Sequence, residues 1–157
     1  MPEEHFSNLA NLRSFTDPEV TNLLLTVNRL KTFNGWPFDT VKGAKCTSFE
    51  LAKAGFCMSA VDEGIFSAKC MCCLKDLQWE EDDIPLEEHL RRMPYCALAN
   101  QISKKKEIDM NVREALYILS MREVTMAVMG QISEDISMIT AGLEHNQNLV
   151  DKICKKI

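Results

Sequence analysis

The chain has 157 residues, 46% apolar, 26% charged and 7% aromatic, with seven Cys, three His and a formal charge of −5. That size fits one globular domain with an appendage, and apolar runs all stop well short of the roughly 18 residues a membrane span needs. The N-terminus, carrying Glu3 and Glu4, lacks a secretory-signal pattern, and the acidic balance without a basic arm argues against broad phosphate-backbone binding as the main activity.

An intracellular chain is therefore expected, in which the cysteines read as metal ligands or small core residues rather than disulfides. Residues 1–28 hold one Arg against four acids, residues 29–99 nine cations against eleven acids, and residues 100–157 eight against eight. Both Trp, six of the seven Cys and four of the six Gly fall between residues 29 and 99. This predicts a compact, turn-rich middle unit with helical ends: an N-terminal helical segment over 1–28, a compact domain over 29–99, and a linker with a long C-terminal helix over 100–157.

Near the start, Asp17, Pro18 and Glu19 have the form of an N-cap, a first helical position and an early acid. They lead into Val20, Leu23, Leu24 and Val27 at helical spacing, which predicts an amphipathic helix of about three turns. From Ile108 to Ile157 there is no Pro, and Met121, Val124, Val128, Ile132, Ile136, Ile139, Leu143, Val150 and Ile153 recur in steps suited to one helix face. A continuous helix there would run roughly 65 Å, more apolar face than a small domain can cover, so it needs a partner helix or a second copy. Gly130 and Gly142 each cost about 1 kcal/mol in a helix interior, so two shorter helices folded back on each other is the other reading.

The middle unit carries C-x2-C-x15-H-x6-C at Cys70, Cys73, His89 and Cys96. A C-x2-C knuckle supplies two thiolates from one tight turn, and a tetrahedral zinc ion wants four such ligands. His89 follows Pro85, Leu86, Glu87 and Glu88, the start of a short helix that should end before Pro94. Three thiolates and an imidazole leave no position for an activated water, so the expected role is one structural Zn2+. Cys72 competes with Cys73 on sequence alone; the knuckle spacing favours Cys73 and leaves Cys72 as a small core residue.

These residues, with Arg29, Thr32, Phe33, Trp36 and Pro37, then Ala52, Ala54, Gly55 and Phe56, then Leu77, Trp79, Asp82, Asp83, Pro85 and Pro94, resemble the baculoviral inhibitor-of-apoptosis repeat, the BIR domain. The resemblance covers about 70 residues. It implies an α+β fold, a short three-stranded antiparallel sheet ringed by helices, with zinc at the four residues named. Two departures stand out: Leu77-Gln78-Trp79 lacks one residue between the usual Leu and Trp, and Met71 replaces a usual aromatic.

One BIR copy followed by a long helix is similar to the survivin-like mitotic class of the family, as is the junction Glu107-Ile108-Asp109-Met110. That resemblance implies a non-enzymatic adaptor of the chromosomal passenger complex type. Its C-terminal helix would bundle with INCENP-like and borealin-like subunits through Met121, Val124, Val128, Ile132, Ile136, Ile139 and Leu143, and would place Aurora-B kinase indirectly. A homodimer is a further expectation, as is localisation to nucleus and cytoplasm, with chromosomes, centromere and spindle occupied in mitosis. It also implies a groove gripping a free N-terminus, here a phosphorylated histone tail, with Leu77 as floor, Gln78 at a position usually acidic, Trp79 as wall, Asp83 as the amine-binding acid and Arg92 reading phosphate. A direct inhibitor of caspases, or a ligand of their antagonists, is the alternative. A zinc enzyme or cysteine hydrolase fails on chemistry, because the metal sphere is full and His89 is spent on it.

Overall fold

The computed structural model describes residues 13–62, 65–104 and 110–154. The expected linker residues Glu107, Ile108 and Asp109 lie outside them, and of Val150 and Ile153 only the helical backbone is described. Contacts divide the chain into residues 1–125 and 126–157.

The first unit begins with three short helices, α1 (Arg13–Thr16), α2 (Pro18–Asn22) and α3 (Thr26–Leu30). Asp17 caps α2 as its sequence demands, its Oδ1 accepting from the Glu19 N–H at 2.8 Å. The expected three-turn helix does not form, because α2 stops after five residues. Arg29 accounts for the break. Its Nη1 donates to the Leu23 and Leu24 carbonyls at 2.6 and 2.8 Å, the two acceptors that a continuing helix would need. Its Nε reaches the Ala52 carbonyl at 2.7 Å and its Nη2 the Thr26 hydroxyl at 2.8 Å. Val20, Leu23 and Leu24 still pack on the core, but Val27 is 62% exposed.

After a 3-10 turn (Pro37–Thr40), α4 (Ser48–Lys53) leads through Gly55 into β1 (Phe56–Asp62), β2 (Ile65–Cys70) and β3 (Asp76–Gln78). The sheet is antiparallel in the order β1-β2-β3, with Phe56 opposite Cys70, Ala68 opposite Leu77, and a bulge between Met58 and Ala60. Two aromatic groups flank it. Trp36 meets Phe33, Phe38 and Phe66 edge-on and donates its indole N–H to the Cys46 carbonyl at 2.9 Å. Phe56, fully buried, stacks edge-on with Trp79 and tilts against His89.

Two more helices, α5 (Pro85–Arg92) and α6 (Ala97–Lys104), close the domain, and α7 (Val112–Cys154) runs unbroken for 43 residues. The backbone passes through Gly130 and Gly142 without a break, so the reading of two shorter helices is set aside. At its start Asn111 and Glu114 form a reciprocal capping box, Asn111 Oδ1 accepting from the Glu114 N–H at 3.0 Å and Glu114 Oε2 from the Asn111 N–H at 2.9 Å. Ile118 and Leu119 of its first turns are buried in the domain core. Within the second unit, Val128, Ile132, Ile136, Ile139 and Leu143 are each between 51% and 64% exposed.

Replacing Arg29 with Met should lower the free energy of unfolding by about 3 kcal/mol, because the buried Ala52 carbonyl and the half-buried Leu23 and Leu24 carbonyls lose their donor. Urea denaturation followed by tryptophan fluorescence measures this, and Arg29→Lys should restore only part of the loss, since an ammonium lacks the planar fork.

Candidate metal centre and adjoining cleft

Four buried ligand atoms from separate parts of the chain converge. Cys70 ends β2, Cys73 sits in the following turn, His89 lies on α5, and Cys96 precedes α6. Their sulfur and nitrogen atoms all lie within 4.8 Å of one another. A tetrahedral zinc site with thiolate bonds near 2.3 Å places neighbouring ligand atoms about 3.7 Å apart. Here Cys70 Sγ and Cys96 Sγ are 3.9 Å apart, and Cys73 Sγ is 3.5 Å from His89 Nε2. The group therefore fits one zinc ion.

Each ligand is oriented by its surroundings. His89 Nδ1 lies 2.8 Å from the Ala54 carbonyl, which can only accept, so this nitrogen carries the proton and Nε2 presents a lone pair to the metal. Ala54 is held there by Gly55, whose φ of +98° turns the chain from α4 into β1; a Cβ at this position would lie 2.7 Å from Leu98 Cδ2. In the knuckle, the Leu74 N–H donates to the Cys70 carbonyl at 3.1 Å, Leu74 itself takes a φ of 58°, and the Cys72 N–H points at Cys70 Sγ at 3.3 Å. Such donors favour thiolate. Without a cation they are not enough, since burial pushes the Cys70 thiol well above its ordinary range. Hydrogen bonding with Cys96 and burial together raise the Cys72 thiol, whose Sγ also donates to the Ile118 carbonyl at 3.6 Å. Burial, aided by the Asp83 charge, raises Cys46 to about 12. Neither thiol has nucleophilic character.

Beside this centre, between β3 and α5, lies a cleft of about 460 Å³ lined by Ile65, Phe66, Gln78, Trp79, Glu80, Asp83, Glu88, Arg91 and Arg92. Trp79 is only 4% exposed, and its indole N–H has no partner among the described residues. Asp83 Oδ2 accepts from the Glu80 N–H at 2.8 Å, which fixes the loop and leaves the carboxylate's other oxygen for a ligand. Glu88 pairs with both Arg91 and Arg92, whose hydrogen bonds, helped by their charges, hold its carboxyl below the usual range.

The BIR family, described as the Inhibitor of Apoptosis domain, matches residues 29–100. Baculoviral IAP repeat-containing protein 5 of Cavia porcellus is 38% identical over 93 residues, 59% of this chain and 62% of that protein. Its Mus musculus counterpart is 36% identical over 100 residues, 63% of this chain and 69% of that protein. The chain belongs to the BIR family. Among its members it is survivin-like, with a single BIR domain and a C-terminal helix. A third relative, Baculoviral IAP repeat-containing protein 5.2-A of Xenopus laevis, is 33% identical over 95 residues, 60% of this chain and 59% of that protein. The chain thus spans between 59% and 69% of the length of these relatives.

Of the residues singled out for the groove of this BIR domain, Gln78, Trp79, Asp83 and Arg92 line one cleft, whereas Leu77 faces the other way and is 6% exposed in the core. The alternation along β3, exposed-buried-exposed, dictates that opposition. Glu88 was not singled out in the sequence, although its place one residue before a metal-binding His on an amphipathic helix could have pointed to it. Met121 likewise packs against the domain core, while Val124 is 54% exposed.

Cys73→Ala should leave the purified protein without metal, whereas Cys72→Ala should retain about one zinc per chain, as measured by atomic absorption. Chelation of the wild type should remove its cooperative thermal transition, because the ion's binding free energy, on the order of 10 kcal/mol, matches the stability of a small domain.

Proposed function

We propose that the chain is a non-enzymatic adaptor of the chromosomal passenger complex type. The domain, over residues 29–99, binds one structural Zn2+ at Cys70, Cys73, His89 and Cys96. It docks a histone N-terminal tail, phosphorylated near its end, in the cleft. Asp83 takes the terminal ammonium, Trp79 walls the first side chain, Gln78 lines the sheet edge, and Arg92 meets the phosphate. Residues 100–157 carry the linker and the assembly helix, and residues 1–28 pack as an N-terminal helical segment.

The observation that carries this reading is the row of exposed apolar side chains on α7, from Val128 to Leu143. An aliphatic row of this length in water is unfavourable by itself and is stabilised by covering helices. INCENP-like and borealin-like subunits are the proposed covering helices, with Aurora-B kinase brought in through them and chromosomes, centromere and spindle as the mitotic locations. A full complement of four protein ligands supports a structural rather than catalytic metal. Among the described residues no helix is long and apolar enough to cross a membrane.

Val128→Glu combined with Ile132→Glu should abolish copurification of helical partners from dividing cells while zinc content stays unchanged; retained partners would sink the adaptor reading. Asp83→Asn keeps an oxygen to accept the Glu80 N–H but loses the charge. It should weaken binding of a histone-tail peptide with a free N-terminus by about tenfold, with little effect on the acetylated peptide, in calorimetric titration.

A further inference from the structure

One residue interrupts the chemistry of the row on α7. At about 3.6 residues per turn, Val124, Val128, Ile132, Ile136, Ile139 and Leu143 fall within an arc of about 120°. Between residues 124 and 143 the same arc also holds Thr125, Gly142 and Asp135. Gly142 presents no side chain, and Thr125 donates its hydroxyl to the Met121 carbonyl of its own helix at 2.8 Å. Asp135 falls on the wheel between Val124 and Val128. Its carboxylate is exposed and, among the described residues, accepts only from the neutral Gln131 amide at 3.0 Å.

Neighbours three and four positions apart share a helix face, so Asp135 stands beside Ile132 and Ile139. Any surface that covers those two side chains, 51% and 63% exposed, takes the carboxylate out of water with them. Burying a carboxylate in an apolar seam is unfavourable unless the covering surface brings a cation and hydrogen bonds. From Glu123 to Asp151 the sequence holds five acids and no Lys or Arg. A second copy overlapping this stretch, parallel or antiparallel, would therefore bury two carboxylates without a counter-ion.

We infer that the row receives a helix of another chain whose own apolar seam carries one Lys or Arg facing Asp135, and that this pair sets the register of the assembly. The inference rests on the adaptor reading and adds the partner's chemistry to it. A lone polar residue in an otherwise apolar seam costs stability in every arrangement that leaves it unpaired, and so selects the arrangement that pairs it. Apolar burial along the row supplies affinity for many helices, and Asp135 chooses among them and fixes how they align. The same charge opposes self-association through this face, because relief comes only from a foreign cation.

The test uses the full zinc-loaded chain and two synthetic amphipathic helices with otherwise identical apolar seams, one with Lys and one with Leu at the centre of the seam. Calorimetric titration should find the Lys-centred helix bound at least about tenfold more tightly. Asp135→Leu should reverse that order, whereas Glu134→Gln, which removes the same charge from the opposite face, should leave it unchanged. An equal shift in both variants would mean that only the net charge of α7 matters and would overturn the inference, as would equal binding of the two helices by the wild type. Val128→Glu combined with Ile132→Glu separates the failures. Equal binding that is lost in this double variant removes the pairing at Asp135 but leaves the row as a docking face. Binding that survives in it, or binding of neither helix to the wild type, removes the adaptor reading as well.

Discussion

Burial of three thiols and an imidazole in one small volume is the constraint on which the domain depends. Four such groups packed together are unfavourable unless a cation compensates them, because burial pushes the Cys70 thiol well above its ordinary range. With a zinc ion the same burial becomes a source of stability, and it joins the end of β2, the middle of α5 and the start of α6 at one point. A three-stranded sheet and helices of four to eight residues could not enclose enough apolar surface to hold those segments so firmly.

The two residues between the knuckle cysteines extend that influence to α7. The Met71 N–H donates to the Gly55 carbonyl at 3.1 Å, and the Met71 carbonyl accepts from Arg122 Nη1 at 2.6 Å. The Cys72 thiol reaches the Ile118 carbonyl at 3.6 Å. The knuckle thus seats the first turns of the long helix as well as the metal. Met71 is 3% exposed within that contact and fits it with a flexible, unbranched side chain. Ser14, whose backbone N–H donates to Glu123 Oε1 at 2.6 Å, brings the chain's early residues against the same stretch of α7.

What could be read from the sequence was whatever has a fixed spacing. The knuckle, the metal-binding His on a helix opened by Pro85, the Asp17 cap and the helical period of residues 121–143 are local patterns, and the folded chain shows each of them. The Asn111-x-x-Glu114 capping box was equally local and marks where α7 begins. Other features are set by distant partners. Arg29 ends α2 by taking carbonyls from six and five residues earlier while also bonding Ala52, a contact 23 residues away. No window of sequence contains all of its acceptors. Leu77 shows a different gap: a three-residue strand carries too little pattern to fix its own face, and only pairing with Ala68 determines which side turns inward.

The cleft and the long helix illustrate how the same physics leaves different traces. In the cleft, Trp79 contributes a buried indole N–H that no described group satisfies, a cost to the free domain that a bound acceptor can offset, while Asp83 commits one oxygen to its own loop. On α7, the corresponding cost is hydration of the aliphatic row, and Ile118 and Leu119 show that the same helix can bury its apolar residues where a surface is available. Beyond residue 125 the pattern continues with its exposure between 51% and 64% from Val128 to Leu143, unchanged in chemistry and lacking only a surface to meet. Periodicity records that a face must be covered, and along α7 it does so both where the domain supplies the cover and where it does not.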